Sequence, residues 1–430
     1  MTTPKLLSAY KLPVEWKCIR LRWLSKRYAG GTPDTKNPEY WEGGTIPWLN
    51  SGTVNQGVIT EPSEYITELA LKESSAKWIP RGALVMALAG QGKTKATVGF
   101  LDIRTTGNQS LAAIVPEKLN GKYLYWWLGS QYLTLRNLSS QDGRDGLNLE
   151  MIGSIMCPVP TLNTQQRIAQ FLDEKTAHID GLIEKKRALL DRLVEKRQAH
   201  ITRSVTTGLN PDAPLKPSGI DWLGDIPAHW EVLPVKRIAV LESGHTPDRK
   251  VDAYWEDCEI PWVSLNDTAA LRAGDYIADT TFKINDLGLA NSSARLLPER
   301  AVVFTRDATI GESAITTRPM AVSQHIIAWL CDEKRIVPEY LLFAIYGMKG
   351  ELLRLTKGST VGTIGLADVN SIRVAVPPVD EQERIVSEIF RQKEKLSDVL
   401  DAVKASLERL NEYRAALITA AVTGQLEGLQ

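Results

Sequence analysis

Leu12-Pro13-Val14-Glu15-Trp16, Thr32-Pro33-Asp34, Tyr40-Trp41 and Ile46-Pro47-Trp48 stand in the first half of the chain. Ile226-Pro227-Ala228-His229-Trp230, Thr246-Pro247-Asp248, Tyr254-Trp255 and Ile260-Pro261-Trp262 stand in the second, each displaced by the same 214 residues. Further on, Gln165-Gln166-Arg167-Ile168 returns as Gln382-Glu383-Arg384-Ile385, and Ile201-Thr202 with Val205-Thr206 returns as Ile418-Thr419 with Val422-Thr423, at a displacement of 217. One register held across several short motifs is the signature of an internal duplication covering nearly all of each half. The fold is one unit built twice.

Each half divides again. Residues 10–160 and 222–378 are rich in Gly, Pro and Trp and carry short apolar runs such as Ala83-Leu84-Val85-Met86-Ala87-Leu88 and Ala301-Val302-Val303-Phe304-Thr305. These read as buried strands of an α/β (α+β) domain, with a helix over 122–136 and its counterpart over 339–355. Residues 164–205 and 381–422 contain no Pro and only Gly181, so each reads as one helix of roughly 40 residues, about 60 Å long. An a/d seam of Ile168, Leu172, Ile179, Leu182, Leu189 and Leu193, matched by Ile385, Ile389, Leu396, Val399, Val403 and Leu410, predicts a coiled coil. Lys175 and Lys186 on the first seam either fix register or snorkel. A domain of order 40 Å across joins the end of one such helix to the start of the other most easily if the two run antiparallel, which places the globular domains at opposite ends of a rod about an approximate twofold axis. The expected division is 1–160 and 209–378 for the globular domains, 161–208 and 379–430 for the helical spacers.

Composition removes several classes. The 430 residues hold 51 Lys and Arg against 51 Asp and Glu, so charge alone does not coat this chain onto nucleic acid, although local patches can still bind it. The longest apolar run, residues 83–89, is too short to span a bilayer, and Met1-Thr2-Thr3-Pro4-Lys5 does not resemble a signal peptide, so a cytoplasmic protein is expected. Four scattered cysteines, Cys18, Cys157, Cys258 and Cys331, read as reduced thiols rather than zinc ligands, and no metal is expected.

Three motifs look catalytic and fail on context. Ala87-Leu88-Ala89-Gly90-Gln91-Gly92-Lys93-Thr94 follows a strand like a phosphate loop, but Thr97-Val98-Gly99-Phe100-Leu101 reads as a strand where such a loop needs a helix, and the second copy has Arg306-Asp307-Ala308-Thr309-Ile310-Gly311 there. Asn37-Pro38-Glu39-Tyr40 is one residue away from the box with which adenine methyltransferases hold their target, and its copy is Val251-Asp252-Ala253-Tyr254. Asp34-Thr35-Lys36 and Asp248-Arg249-Lys250 resemble half of a metal nuclease site without a second carboxylate. The five histidines show neither metal spacing nor a nucleophile partner.

The order domain, long helix, domain, long helix, with Gly31-Thr32-Pro33-Asp34, Tyr40-Trp41 and Ile46-Pro47-Trp48 and their copies, resembles the specificity (S) subunit of type I restriction-modification enzymes over essentially the whole chain. Ile220-Asp221-Trp222-Leu223-Gly224-Asp225-Ile226-Pro227 and the helix entries at Pro160-Thr161-Leu162-Asn163 and Pro377-Pro378-Val379-Asp380 are also similar to that family. The resemblance implies two target recognition domains, each reading one half of a bipartite double-stranded DNA site. It implies helices that dock methyltransferase (M) subunits, with restriction (R) subunits joining, and no catalytic residues in this chain. S-adenosylmethionine, ATP and Mg are then expected in the partner subunits, with no cofactor here. The competing classes are an autonomous nucleotide-binding enzyme and a purely architectural coiled-coil adaptor.

Donor chemistry and position at strand exits select candidate DNA contacts. In the first domain these are Asn50, Ser51, Gln91, Lys93, Thr94 and Lys95; in the second, Ser264, Asn266, Arg306, Thr309, Gln324 and Lys357. Gln109 and Gln324 match at a displacement of 215, which fits either a shared base contact or a shared structural hydrogen bond. Residues 1–36 carry eight Lys or Arg against two acids, suited to phosphates or to an acidic M-subunit surface. Trp41, Trp48, Trp255 and Trp262 read as core anchors rather than stacking platforms.

Overall fold

A computed structural model of the chain describes residues 12–90, 92–138, 146–356 and 362–429. It resolves into two compact units, one made of residues up to Lys186 together with Ala405 onward, the other of Arg187–Lys404. This differs from a four-part division, because each long helix gives part of its length to each unit instead of standing apart as a spacer.

In the first unit, strands β1 (Ser25–Ala29), β2 (Ile46–Leu49), β3 (Val58–Ile59), β4 (Leu84–Ala87), β5 (Val98–Leu101) and β6 (Leu111–Pro116) build the framework. Its main sheet has the order β1-β6-β4-β5-β3, antiparallel except for the β3–β5 pair. The second unit repeats this with β7 (Ala239–Ser243), β8 (Ile260–Val263), β9 (Tyr276–Ile277), β10 (Val302–Thr305), β11 (Ser313–Thr316) and β12 (Ile326–Cys331). Its sheet order is β7-β12-β10-β11-β9, again with one parallel pair, β9–β11. β2 and β8 each lie in a smaller side sheet. Central strands β4 and β10 are buried on both faces, as their unbroken apolar sequence requires.

The long helices run Leu162–Thr207 and Val379–Val422. Each ends at a glycine in the left-handed region, Gly208 (φ +73°) or Gly424 (φ +70°), where a β-carbon is unfavourable. The repeated Trp lies against that glycine, Trp230 on Gly208 and Trp16 on Gly424. Within the first unit Arg414 forms a two-pronged ion pair with Asp180 (2.8 and 3.1 Å) and Arg167 donates to the Gly428 carbonyl, so the two helical segments there run antiparallel.

Two repeated polar residues bolt these helices to the sheets. Gln165 accepts from the Asn120 amide (2.8 Å) and donates to the Pro160 carbonyl (2.9 Å); Gln382 accepts from the Val337 amide (2.9 Å) and donates to the Arg335 and Pro377 carbonyls. Both are buried, so the side chains replace bonds that water cannot supply. Tyr123 OH donates to Pro158 (3.0 Å) and Val422 (3.3 Å); Tyr340 OH donates to Ala375 (2.9 Å) and Val205 (3.3 Å). Burial pushes both phenols well above their ordinary range, which keeps the donating proton in place.

Two expectations need correction. The helices expected over 122–136 and 339–355 are each broken in two, into Gly121–Ser130 and Tyr132–Leu138, and into Pro338–Gly347 and Lys349–Arg354. At the first break Ser130 Oγ turns back onto the Trp127 carbonyl (2.7 Å) and ends the hydrogen-bond ladder. The apolar seam also drifts. Ile168, Leu172, Ile179, Ile385, Ile389 and Val403 are buried, and Leu182, Leu193, Leu396 and Leu410 are half-buried, but Leu189 and Val399 are exposed, while Ile183 and Leu400 are buried instead. The steps from Ile168 to Ile179, Leu172 to Ile183 and Ile389 to Leu400 are eleven residues, a period of about 3.67 per turn that a strict heptad cannot follow.

Candidate nucleic-acid interface

Strand register collects the loops at one edge of each main sheet. In the first domain Ala29 pairs with Ala112, Ala87 with Leu111 and Met86 with Val98. The chain after β1 and β4 and before β5 and β6 therefore emerges on one side, as does the chain before β3. In the second domain Ser243 pairs with Ile327, Thr305 with Ile326 and Phe304 with Ser313, which gives the same edge.

The roots of these loops carry the same bonds twice. Thr32 Oγ1 donates to Gln109 Oε1, and Thr246 Oγ1 donates to Gln324 Oε1 (2.6 Å). The matched glutamines thus make a shared structural hydrogen bond. Trp48 Nε1 donates to the Gly31 carbonyl and Trp262 Nε1 to the His245 carbonyl, both at 3.1 Å. Trp41 and Trp255 stand edge-on to them at 5.2 and 5.6 Å and donate to the Asp34 and Asp248 carbonyls. Trp48 and Trp262 are buried, so these indoles anchor the loops instead of offering a face to a base. The Asp-x-Lys triplets are local turns: Asp34 Oδ1 accepts from the Lys36 amide (3.0 Å) and Asp248 Oδ1 from the Lys250 amide (2.9 Å). Among the described residues no cluster of His, Cys, Asp or Glu is arranged to hold a metal.

At the first edge Lys93 is exposed, on a turn fastened through its own carbonyl by Tyr132 OH (2.9 Å) and Thr97 Oγ1 (2.7 Å). Thr94 is half-buried and accepts from Asn55 Nδ2 (3.5 Å). No helix begins at Lys93-Thr94; the chain turns through Gly92 (φ +60°) and Ala96 (φ +68°) into β5, so the described residues here do not form a phosphate loop. Lys95 must be withdrawn as a DNA contact. It is 6% exposed, because the Ala96 amide bonds back to the Ala87 carbonyl (2.9 Å) and folds the preceding side chain inward. Asn50 is exposed, with its Oδ1 committed to capping Gly52 (2.8 Å), and Ser51 is half-buried on the same short turn. Gln109 is exposed beside them, since the Asn108 amide reaches the Leu49 carbonyl (2.9 Å). Gln91 lies outside the described residues.

At the second edge Ser264 must also be withdrawn. It is buried, capping a short 3-10 turn reciprocally with Asp267, and its Oγ receives Asn266 Nδ2 (3.3 Å). Asn266 is exposed. Thr309 is half-buried; its carbonyl accepts from Thr305 Oγ1 and its hydroxyl lies 3.5 Å from that of Thr268. Arg306 Nε donates to the Gln324 carbonyl (3.2 Å) and stands 3.6 Å from the Asp307 carboxylate. Asp307 also receives His325 Nδ1 (2.6 Å), and His325 Nε2 meets Gln324 Nε2 (3.2 Å). Lys357 lies outside the described residues. Thr32 and Thr246 escaped selection although their repetition marked them; Asp307 and His325, eighteen residues apart, have no counterpart in the first copy and gave no sequence signal.

A family model for the type I restriction modification DNA specificity domain matches residues 13–192 and again 227–409. The type I restriction enzyme MjaIX specificity subunit of Methanocaldococcus jannaschii is 24% identical over 430 residues, covering 97% of this chain and 94% of that protein. The EcoR124I/EcoR124II specificity subunit of Escherichia coli is 32% identical over 174 residues, 40% of this chain, and the match spans only 43% of that relative's length. Among solved structures, a chain of a type I R-M system studied for its complex assembly and conformational transition superposes with a TM-score of 0.76 at 17% identity, covering 97% of this chain and all of that one. The HsdS subunit from Thermoanaerobacter tengcongensis gives 0.56 at 16% identity, over 97% and 99% of the two chains. Identities this low carry the fold alone.

Proposed function

Because the chain belongs to the family of type I restriction-modification specificity subunits, we propose that each of its domains reads one half of a bipartite double-stranded DNA site through the sheet edge described above. The observation that carries this reading is the pairing of identical loop roots, Thr32–Gln109 and Thr246–Gln324, with unlike loop tips, Lys93-Thr94 against Arg306-Asp307. A duplicated scaffold presenting different donors suits two unlike half-sites at a fixed separation. The long helices, each fastened at its start by Gln165 or Gln382 and near its end by a Tyr340 or Tyr123 hydroxyl, set the spacer and dock methyltransferase subunits, with restriction subunits joining the complex. The chain itself is a non-catalytic subunit working in the cytoplasm; S-adenosylmethionine, ATP and Mg belong to the partners. Among the described residues no helix is long and apolar enough to cross a membrane.

The test is reconstitution. The purified chain alone is expected to bind DNA without methylating it, cutting it or hydrolysing ATP, and to direct sequence-specific methylation once its methyltransferase partner is added. Turnover by the chain alone would replace this reading with that of an autonomous enzyme, and assembly without any DNA preference would leave the architectural adaptor.

A further inference from the structure

Arg306 differs from Lys93, the exposed cation of the first recognition edge, in how firmly it is held. Its amide donates to the His325 carbonyl (3.1 Å), and its own carbonyl accepts from the Ile364 amide (2.9 Å). Its Nε is taken by the Gln324 carbonyl (3.2 Å), with the Asp307 carboxylate at 3.6 Å. Behind it runs a polar relay: Thr246 Oγ1 donates to Gln324 Oε1, Gln324 Nε2 donates to His325 Nε2, and His325 Nδ1 donates to Asp307 Oδ2. That donor order requires a neutral imidazole with its proton on Nδ1. Asp307 is nearly buried, its side chain 10% exposed, whereas the Arg306 side chain keeps 21%. Neither Nη nitrogen of Arg306 bonds to a described residue, so the two-pronged end of the guanidinium is the part left for a ligand.

Resting on the proposed DNA-reading function, we infer that Arg306 is a guanine-reading fork of the second domain, with Asp307, Gln324 and His325 as its positioning residues. Two considerations select a base edge over a phosphate. Arg306 and Asp307 together carry no net charge, so the pair releases few counterions, and a phosphate contact draws its free energy chiefly from that release. What the arrangement retains is direction, and a fixed pair of parallel N–H donors matches the O6 and N7 acceptors of guanine in the major groove. The first domain has Gln91-Gly92 at the positions 215 residues earlier and Ser110 in place of His325, so this reader belongs to one half-site only.

The experiment maps methylated sites with the complete methyltransferase complex carrying the wild-type chain, Arg306→Ala or Arg306→Lys. The expected result is a split wild-type motif in which Arg306→Ala relaxes one guanine position of one half-site by about 10- to 100-fold in discrimination, leaving the other half-site unchanged. Arg306→Lys keeps the charge but loses the fork, and it too is expected to relax that position. A uniform loss of methylation with an unaltered motif, restored by lysine, identifies a phosphate contact and overturns the inference; so does an unchanged motif in both variants. If Arg306→Ala does not assemble, Arg306→Lys decides alone. A wild-type complex with no split motif instead overturns the underlying reading of the chain.

Discussion

Lys93 and Arg306 leave corresponding sheet edges in the two domains under opposite regimes. Lys93 stands exposed on a turn that Tyr132 OH and Thr97 Oγ1 fasten through its backbone carbonyl. Arg306 is held by its amide, its carbonyl and its Nε, in front of a relay that ends on a nearly buried carboxylate. Beneath both, the Trp pairs, the Thr–Gln bonds and the Tyr bolts are the same. The contrast teaches that duplication has preserved the bonds that fix where the loops start and released the residues at their tips.

If the anchors are equivalent, breaking them must cost the same in both copies. Trp48→Ala and Trp262→Ala each delete a buried indole, its edge-on partner contact and a loop bond, and each is expected to destabilise its own domain by about 3–5 kcal/mol. Denaturant unfolding followed domain by domain checks this, and a large loss in only one copy breaks the equivalence. A smaller effect separates the copies. Gln109 serves one hydroxyl at an exposed site, whereas the Gln324 side chain serves both Thr246 and His325. Gln109→Ala is expected to cost about 0.5–1 kcal/mol and Gln324→Ala about 1–3 kcal/mol, because the latter leaves half-buried partners unpaired. Equal midpoints for the two variants would show that the relay adds nothing. The smallest effect falls on the exposed turn: Lys93→Ala is expected to leave stability unchanged and to lower the slope of log K against log salt by about one unit, the signature of a single lost phosphate contact. An unchanged slope removes Lys93 from the interface.

How much of this is legible in the sequence follows from how local each feature is. The duplication, the sheets and the long helices are visible because Trp-Pro motifs, apolar strand runs and Pro-free stretches act over a few residues. The anchoring role of the tryptophans is likewise readable, since a buried indole is a common core element. The failures are of three kinds. Lys95 looks like an exposed cation until Ala96 adopts a positive φ and turns it inward, a backbone choice that an alanine does not advertise. Ser264 looks like a donor for DNA, but a serine is equally a cap, and Asp267 three residues on was the sign of it. Asp307 and His325 meet only because β10 and β12 are hydrogen-bonded neighbours, a pairing that no spacing rule supplies. The drift that exposes Leu189 and Val399 arises from the difference between seven- and eleven-residue periods, which is small per turn and decisive over forty residues.

The proposed function requires that one chain read two unlike half-sites held at a fixed separation. Its most direct measurement is genome-wide mapping of methylated bases in cells that express this chain with its methyltransferase partner, compared with cells expressing the partner alone. The expected result is a single motif made of two different short sequences with a constant number of unread bases between them, present only when the chain is present. A contiguous motif, two identical halves, or a spacer of varying length would contradict it.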